Sequence, residues 1–166
     1  VIRIGYHTQE KRDNQLTKPV KAQKNNAWFG NVPYYWIHED DSLFWGKNIK
    51  CKYAKGFEVY KSDVDCEKIL DTVFNEKHYN FFVKQIEFIS KKFIIKTGNK
   101  PSLKEINDYC KEKNVWDDCT GIMFQDISRN PEHFLVEGMQ YKKRIQIAVY
   151  DIKIITTFAL HITCDC

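Results

Sequence analysis

Arg144-Ile145-Gln146-Ile147-Ala148-Val149-Tyr150-Asp151 is the stretch whose reading decides the fold. Arg144, Gln146 and Ala148 alternate with Ile145, Ile147 and Val149, and a period of two marks a half-buried strand. A second β-rich run, Ile152 to Thr163, follows it and is dominated by Ile, Thr and Phe. At the other end Val1 to Ile4 reads as a short strand, closed by Gly5-Tyr6-His7-Thr8, so that a histidine stands at its end. Strands at both ends with helices between predict an α+β fold in which the terminal strands meet in one sheet.

The middle of the chain supplies the helices. Asp40 to Ile49 is expected to form a short helix with an acidic start that suits its dipole. Phe57 to Val64 alternates as a strand, and Cys66 to Asn75 reads as a short helix capped by Asp63 or Asp65. The clearest helix runs from His78 to Lys96. Tyr79, Phe82, Val83, Ile86, Ile89 and Phe93 recur on one face, and Gly98 and Pro101 end it. Ser102-Leu103-Lys104-Glu105 is a capping box for another helix, with Leu103, Ile106 and Cys110 on one stripe. Its exposed positions lack the dense basic or amide face of a DNA-reading helix, so the helical middle is assigned a packing role against the sheet. Residues 9 to 27 form a long polar connection rich in Lys, Gln and Asn, a length at which loops are usually functional or disordered. No repeat or Pro/Gly-rich linker divides the chain, and 1–166 reads as one domain.

Charge and cysteine usage bound the function classes. The net charge of +4 is too mild to mark a nucleic-acid protein. The distribution says more, because Lys11, Arg12, Lys18, Lys21 and Lys24 crowd the long connection and Lys47, Lys50, Lys52 and Lys55 follow. Such a loop is suited to attract an anionic cofactor or RNA, or is a solvated surface loop, the commoner outcome for lysine-rich linkers. The six cysteines include no Cys-x-x-Cys pair, and only Cys164 and Cys166, with His161 nearby, offer even an incomplete metal site. No metal is expected, and the thiols are expected to be reduced, several of them as core fillers. No apolar run reaches the ~18 residues of a membrane span and no secretory signal pattern is present, so a cytoplasmic protein without membrane contact is expected.

Trp28-Phe29-Gly30-Asn31-Val32-Pro33-Tyr34-Tyr35-Trp36 concentrates aromatic rings around a Gly-Asn turn and a proline. Aromatic rings beside a polar strand end suit a planar ligand such as a nucleotide or nicotinamide, and composition alone favours the alternative of an aromatic core cluster with a satisfied histidine. His7-Thr8, then Gly30-Asn31-x-x-Tyr34-Tyr35-Trp36, an acidic helix start at Glu39-Asp40-Asp41 and the strand 144–151 together resemble the PARP-like ADP-ribosyltransferases. The likeness is greatest to their small bacterial members, which act as toxins and phage-defence effectors. It rests on three short blocks spread over most of the chain. Relatives carry Tyr-His-Gly-Thr where this chain has Tyr6-His7-Thr8, and Thr8 stands in the place of their glycine.

The resemblance implies a split β-sheet core with a helical middle segment and NAD as co-substrate. It implies that His7 binds a ribose hydroxyl and Tyr34 stacks on the nicotinamide, with Tyr35 beside it and Thr8, Gly30 and Asn31 lining the cofactor site. Gln146 falls on the catalytic glutamate position. A glutamine holds a hydroxyl by hydrogen bond but cannot act as a general base, so Glu137, and less directly Asp126, stand as carboxylate alternatives. The implied activity is mono-ADP-ribosyl transfer to RNA, DNA or protein, by a toxin or antiphage effector neutralised by an antitoxin protein. NAD hydrolysis, or a degenerate domain that binds nucleotide or nucleic acid without catalysis, are the alternatives.

Overall fold

The chain runs β1 (Ile2–Glu10), β2 (Tyr34–Trp36), α1 (Glu39–Asn48), β3 (Gly56–Asp65), β4 (Ile69–Asp71), α2 (Glu76–Thr97), α3 (Leu103–Glu112), β5 (Gly121–Asp126), β6 (Arg144–Val149) and β7 (Ala159–Asp165). This computed structural model describes residues 1–166. The strands form one mixed sheet in the order β4-β5-β6-β2-β1-β3-β7. Only β4 and β5 run parallel; every other pair is antiparallel. The fold is α+β, as the alternation at the two ends predicts.

Pairing extends β1 well past the short strand expected at Val1–Ile4. It lies against β3 from Ile2↔Asp65 to Glu10↔Phe57, so His7 sits inside the strand and not at its end. The terminal strands share the sheet without touching, because β3 lies between β1 and β7. At the centre β2 is only three residues long and meets β1 through the single pair Tyr6↔Trp36. That short strand is the sole join between the two halves of the sheet.

All three helices cover one face. Ile89 of α2, with Ile106 and Cys110 of α3, packs with Phe29 and Trp116 on Leu70, Ile122, Phe124 and Ala148. Within α2 the inward residues are Phe82, Ile86 and Ile89, whereas Tyr79 is exposed. The helix ends follow their signals: Asn75 Oδ1 accepts from His78 N, and Ser102 and Glu105 close the capping box. On the other half of this face α1 lies over β1 and β3, with Gly46 so close to the Phe57 ring that no side chain fits between them. The second face carries no helix. Tyr35, Val64, Ile69, Met123, Ile145, Ile147 and Val149 pack there under Ile154 and Ile155.

Two expectations are corrected. Residues 66–75 do not form a helix. Ile69 to Asp71 pairs in parallel with Gly121 to Met123, and the Asp71 carboxylate accepts from Val73 N and Phe74 N, drawing those amides into a turn. The thiols are not all reduced either, since Cys51 and Cys166 form a disulfide across 115 residues while Cys66, Cys110, Cys119 and Cys164 are free. That bond takes Cys166 from any terminal metal site, and His161 instead lies 3.1 Å from the Glu39 carboxylate. A disulfide is characteristic of oxidising compartments, so the thiols no longer argue for a cytoplasmic location. No helix is long and apolar enough to cross a membrane.

Candidate functional site

The three sequence blocks meet at the centre of the sheet. Trp36 pairs with Tyr6 on one side and Gln146 on the other, and Phe124 continues the row on β5. Side chains two apart along a strand share a face, which places Thr8 and Tyr34 on the same side as this row. It is the face that carries the helices. His7 and Tyr35 alternate with these residues and point to the opposite face.

Around Gln146 the polar side chains form a chain of contacts. Gln146 Nε2 donates to Asp126 Oδ2 at 3.1 Å. Asp126 Oδ1 lies 3.1 Å from Arg144 Nε, an ion pair in which neither of those two atoms has a hydrogen-bond partner. The Arg144 guanidinium stands 4.7 Å from the Trp36 ring centre and 5.8 Å from that of Trp45. A planar, weakly hydrated cation suits such a position between indoles. Burial pushes the Asp126 carboxyl up to about 6, against the opposing pull of Arg144 and the Gln146 hydrogen bond.

A second buried pair lies nearby. Asp41 Oδ1, from the first turn of α1, is 3.6 Å from His133 Nε2, and both side chains are almost wholly buried. Asp41 Oδ2 and His133 Nδ1 have no partner. Burial raises the Asp41 carboxyl, and His133 and Arg144 pull it back. Asp41 and His133 line an open pocket of about 450 Å³ together with Tyr6, His38, Lys142 and Lys143.

His7 is occupied on every side. Its Nδ1 is 2.8 Å from the Tyr34 carbonyl oxygen, which can only accept, so Nδ1 carries the proton. Nε2 then accepts from Val20 N and from Gln9 Nε2, each at 3.2 Å. The side chain is 2% exposed, and burial lowers its pKa to about 4. The Tyr35 ring lies 5.2 Å away and Phe158 lies 6.2 Å away. The long connection after β1 covers this group, since Leu16 N also donates to the Tyr60 hydroxyl. Residues 12–21 of that connection and Ile152 line an open cavity of about 730 Å³.

The remaining sequence-identified residues have separate roles in the fold. The Tyr34 hydroxyl accepts from Phe29 N and donates to the Gly30 carbonyl, which closes the turn before β2. Burial pushes it up to about 12. Gly30, at φ +93°, takes a left-handed conformation that this turn requires, and Asn31 beside it is exposed. The Thr8 hydroxyl donates to the Ser42 carbonyl and ties β1 to α1. Tyr35 is fully buried, with its hydroxyl 3.5 Å from Ser62 Oγ. Glu137 is exposed in the turn bridged by Val136 and Met139 and makes no hydrogen bond or ion pair.

The fold therefore gathers Thr8, Tyr34 and Gln146 on one face, sets His7 and Tyr35 on the other and leaves Glu137 outside. Sequence reasoning missed Arg144, Trp45, Asp41 and His133. Two of them carried a signal: Arg144 stands two residues from Gln146 and so shares its face, and Asp41 belongs to the acidic helix start. Compared with known proteins, the chain matches no family model, no curated protein and no solved structure.

Proposed function

We propose that the chain is an NAD-dependent mono-ADP-ribosyltransferase with an ADP-ribosyltransferase-like fold, which modifies a macromolecular acceptor. One observation carries the reading. The blocks bearing His7-Thr8, Gly30 to Trp36 and Arg144 to Asp151, distant along the chain, lie on the adjacent strands β1, β2 and β6.

Transfer of ADP-ribose breaks the nicotinamide–ribose bond through an oxocarbenium-like transition state, so positioning and electrostatics supply most of the acceleration. On this reading the Gln146 carbonyl oxygen accepts from a ribose hydroxyl, and the Tyr34 and Trp36 side of β2 flanks the nicotinamide. The donor set suits NAD: an amide acceptor and a stacked cation on one face, with the lysines of residues 11–24 to attract the pyrophosphate. His7 faces the other side of the sheet and its Nε2 accepts from Val20 N, so on this reading the ribose is held from the Gln146 face without it. The biological role that accompanies this reading is a bacterial toxin or antiphage effector restrained by an antitoxin protein.

A second reading, a nucleotide-binding domain without catalysis, is favoured by the sealed His7 ring. Both readings meet in one experiment. NAD labelled on its adenylate phosphate is incubated with cell extract and either the native protein or Gln146→Ala, and the products are split by nuclease and by protease. Label in macromolecules with the native protein alone establishes transfer, and the sensitive digest names the acceptor class. Label in free ADP-ribose makes the protein an NAD glycohydrolase. Intact NAD that binds the protein refutes the enzyme and leaves the binding domain.

A further inference from the structure

We infer that Asp126 is a positioning residue that holds the Gln146 amide with its nitrogen inward and its oxygen outward, presenting an acceptor to a ribose hydroxyl. The inference rests on the transferase reading above for the identity of that hydroxyl. A primary amide has a donor end and an acceptor end of nearly equal shape, and a half-buried glutamine with no neighbour presents either. The Asp126 carboxylate only accepts, so the amide nitrogen must face it, at 3.1 Å. The flipped amide would set two oxygens against each other.

Asp126 is itself held in place. β5 and β6 are in register, with Asp126 opposite Arg144 and Phe124 opposite Gln146, so Arg144 and Gln146 approach the carboxylate from one strand and one face. Each takes one oxygen, Arg144 Nε at Oδ1 and Gln146 Nε2 at Oδ2. Arg144 is wedged by Trp36, and Trp36 is the row neighbour of Gln146 across the β2–β6 pair. The same residues that bury the ion pair therefore set the orientation of the amide. Gln146 is then an acceptor in its own right, and it needs no negative charge to be one.

The test is a charge exchange between the two positions. Gln146→Glu sets a second carboxylate against Asp126, and like charges at this distance oppose ionisation of the pair. Turnover of NAD is expected to fall about tenfold or more with little change in KM. Gln146→Glu/Asp126→Asn restores a donor opposite an acceptor, and turnover is expected to return to within about threefold of the native protein. Rescue of this kind separates positioning from a loss of folding. Turnover in Gln146→Glu equal to or above native, or no recovery in the double variant, overturns the inference.

A spectroscopic readout is independent of NAD. The side-chain amide protons of Gln146, assigned by ¹H–¹⁵N correlation, are expected to include one hydrogen-bonded proton in the native protein. That signature is lost in Asp126→Leu/Arg144→Met, which removes both ends of the ion pair together. Identical amide signals in the two proteins overturn the assignment of Asp126. If native protein leaves NAD intact, the transferase reading falls, and the amide spectra still decide the orientation.

Discussion

Cutting the Cys51–Cys166 bond is expected to cost about 5 kcal/mol. The two residues are 115 apart, so the bond closes most of the chain into one loop. A cross-link over a loop of this length removes about 16 cal/mol/K from the unfolded ensemble, which at room temperature is about 5 kcal/mol. For a domain of this size each kcal/mol moves the melting temperature by roughly 2–4 °C, so the loss corresponds to about 10–20 °C. The perturbation is Cys51→Ser/Cys166→Ser, melted beside the native protein with and without dithiothreitol. The reductant should lower the native Tm to that of the variant and leave the variant unchanged. Thiol counting gives an internal check, because burial pushes Cys66 up to about 11 and Cys110 up to about 12 and slows alkylation of both in the folded state. A fall of less than about 3 °C would refute the entropic argument. Six reactive thiols in denaturant without reductant would refute the bond itself.

Four further outcomes follow from buried groups. The His7 pKa of about 4 lies below its unfolded value, so stability is fully present above about pH 6.5 and falls as the pH drops toward 4, by up to ~3 kcal/mol. Urea midpoints at pH 7 and pH 4.5, read against His7→Asn, isolate this loss; equal slopes would place the ring in water. Asp126, raised to about 6, acts in the opposite sense and loses stability as pH rises from about 4 to 6, so its variants should show a flatter curve over that window. Gly46→Ala drives a methyl group into the Phe57 ring, and overpacking of about 2 kcal/mol outweighs a helix-propensity gain of about 1 kcal/mol; a Tm at or above native would contradict the close approach. Arg144→Met leaves Asp126 buried without its cation and should cost about 3–5 kcal/mol, most of it recovered by adding Asp126→Leu, as denaturant melts of the two variants will show.

Local chemistry was readable where it sufficed to form an element. The capping box at Ser102 and the alternation of Arg144 to Val149 each appear where their residues place them. The periodic helix is also present over Glu76–Thr97, though Tyr79 faces outward. Reading failed where the partner is distant. Nothing within residues 66–75 announces that Ile69 to Asp71 pairs with Gly121 to Met123, and an apolar pair beside acidic residues looks equally like a helix. β1 likewise grows beyond Ile4 because β3 offers a partner as far as Phe57. The three motifs are neighbours only because the sheet order sets β6, β2 and β1 side by side. The sides on which they point depended on register, which moves every side chain to the other face with a slip of one residue. Arg144, Asp126, Asp41 and His133 come from four separate segments, and only the folded sheet makes neighbours of them.

His7 sits between the Tyr34 carbonyl and Val20 N, and so pins the polar connection after β1 near its middle. Mechanically that connection is two short loops joined at a rivet. Since the entropy of closing a loop grows only with the logarithm of its length, residues added between Lys21 and Ala27 would enlarge one small loop and leave the other undisturbed. Length can change there at little cost, whereas loss of the His7 ring would merge the two loops into one.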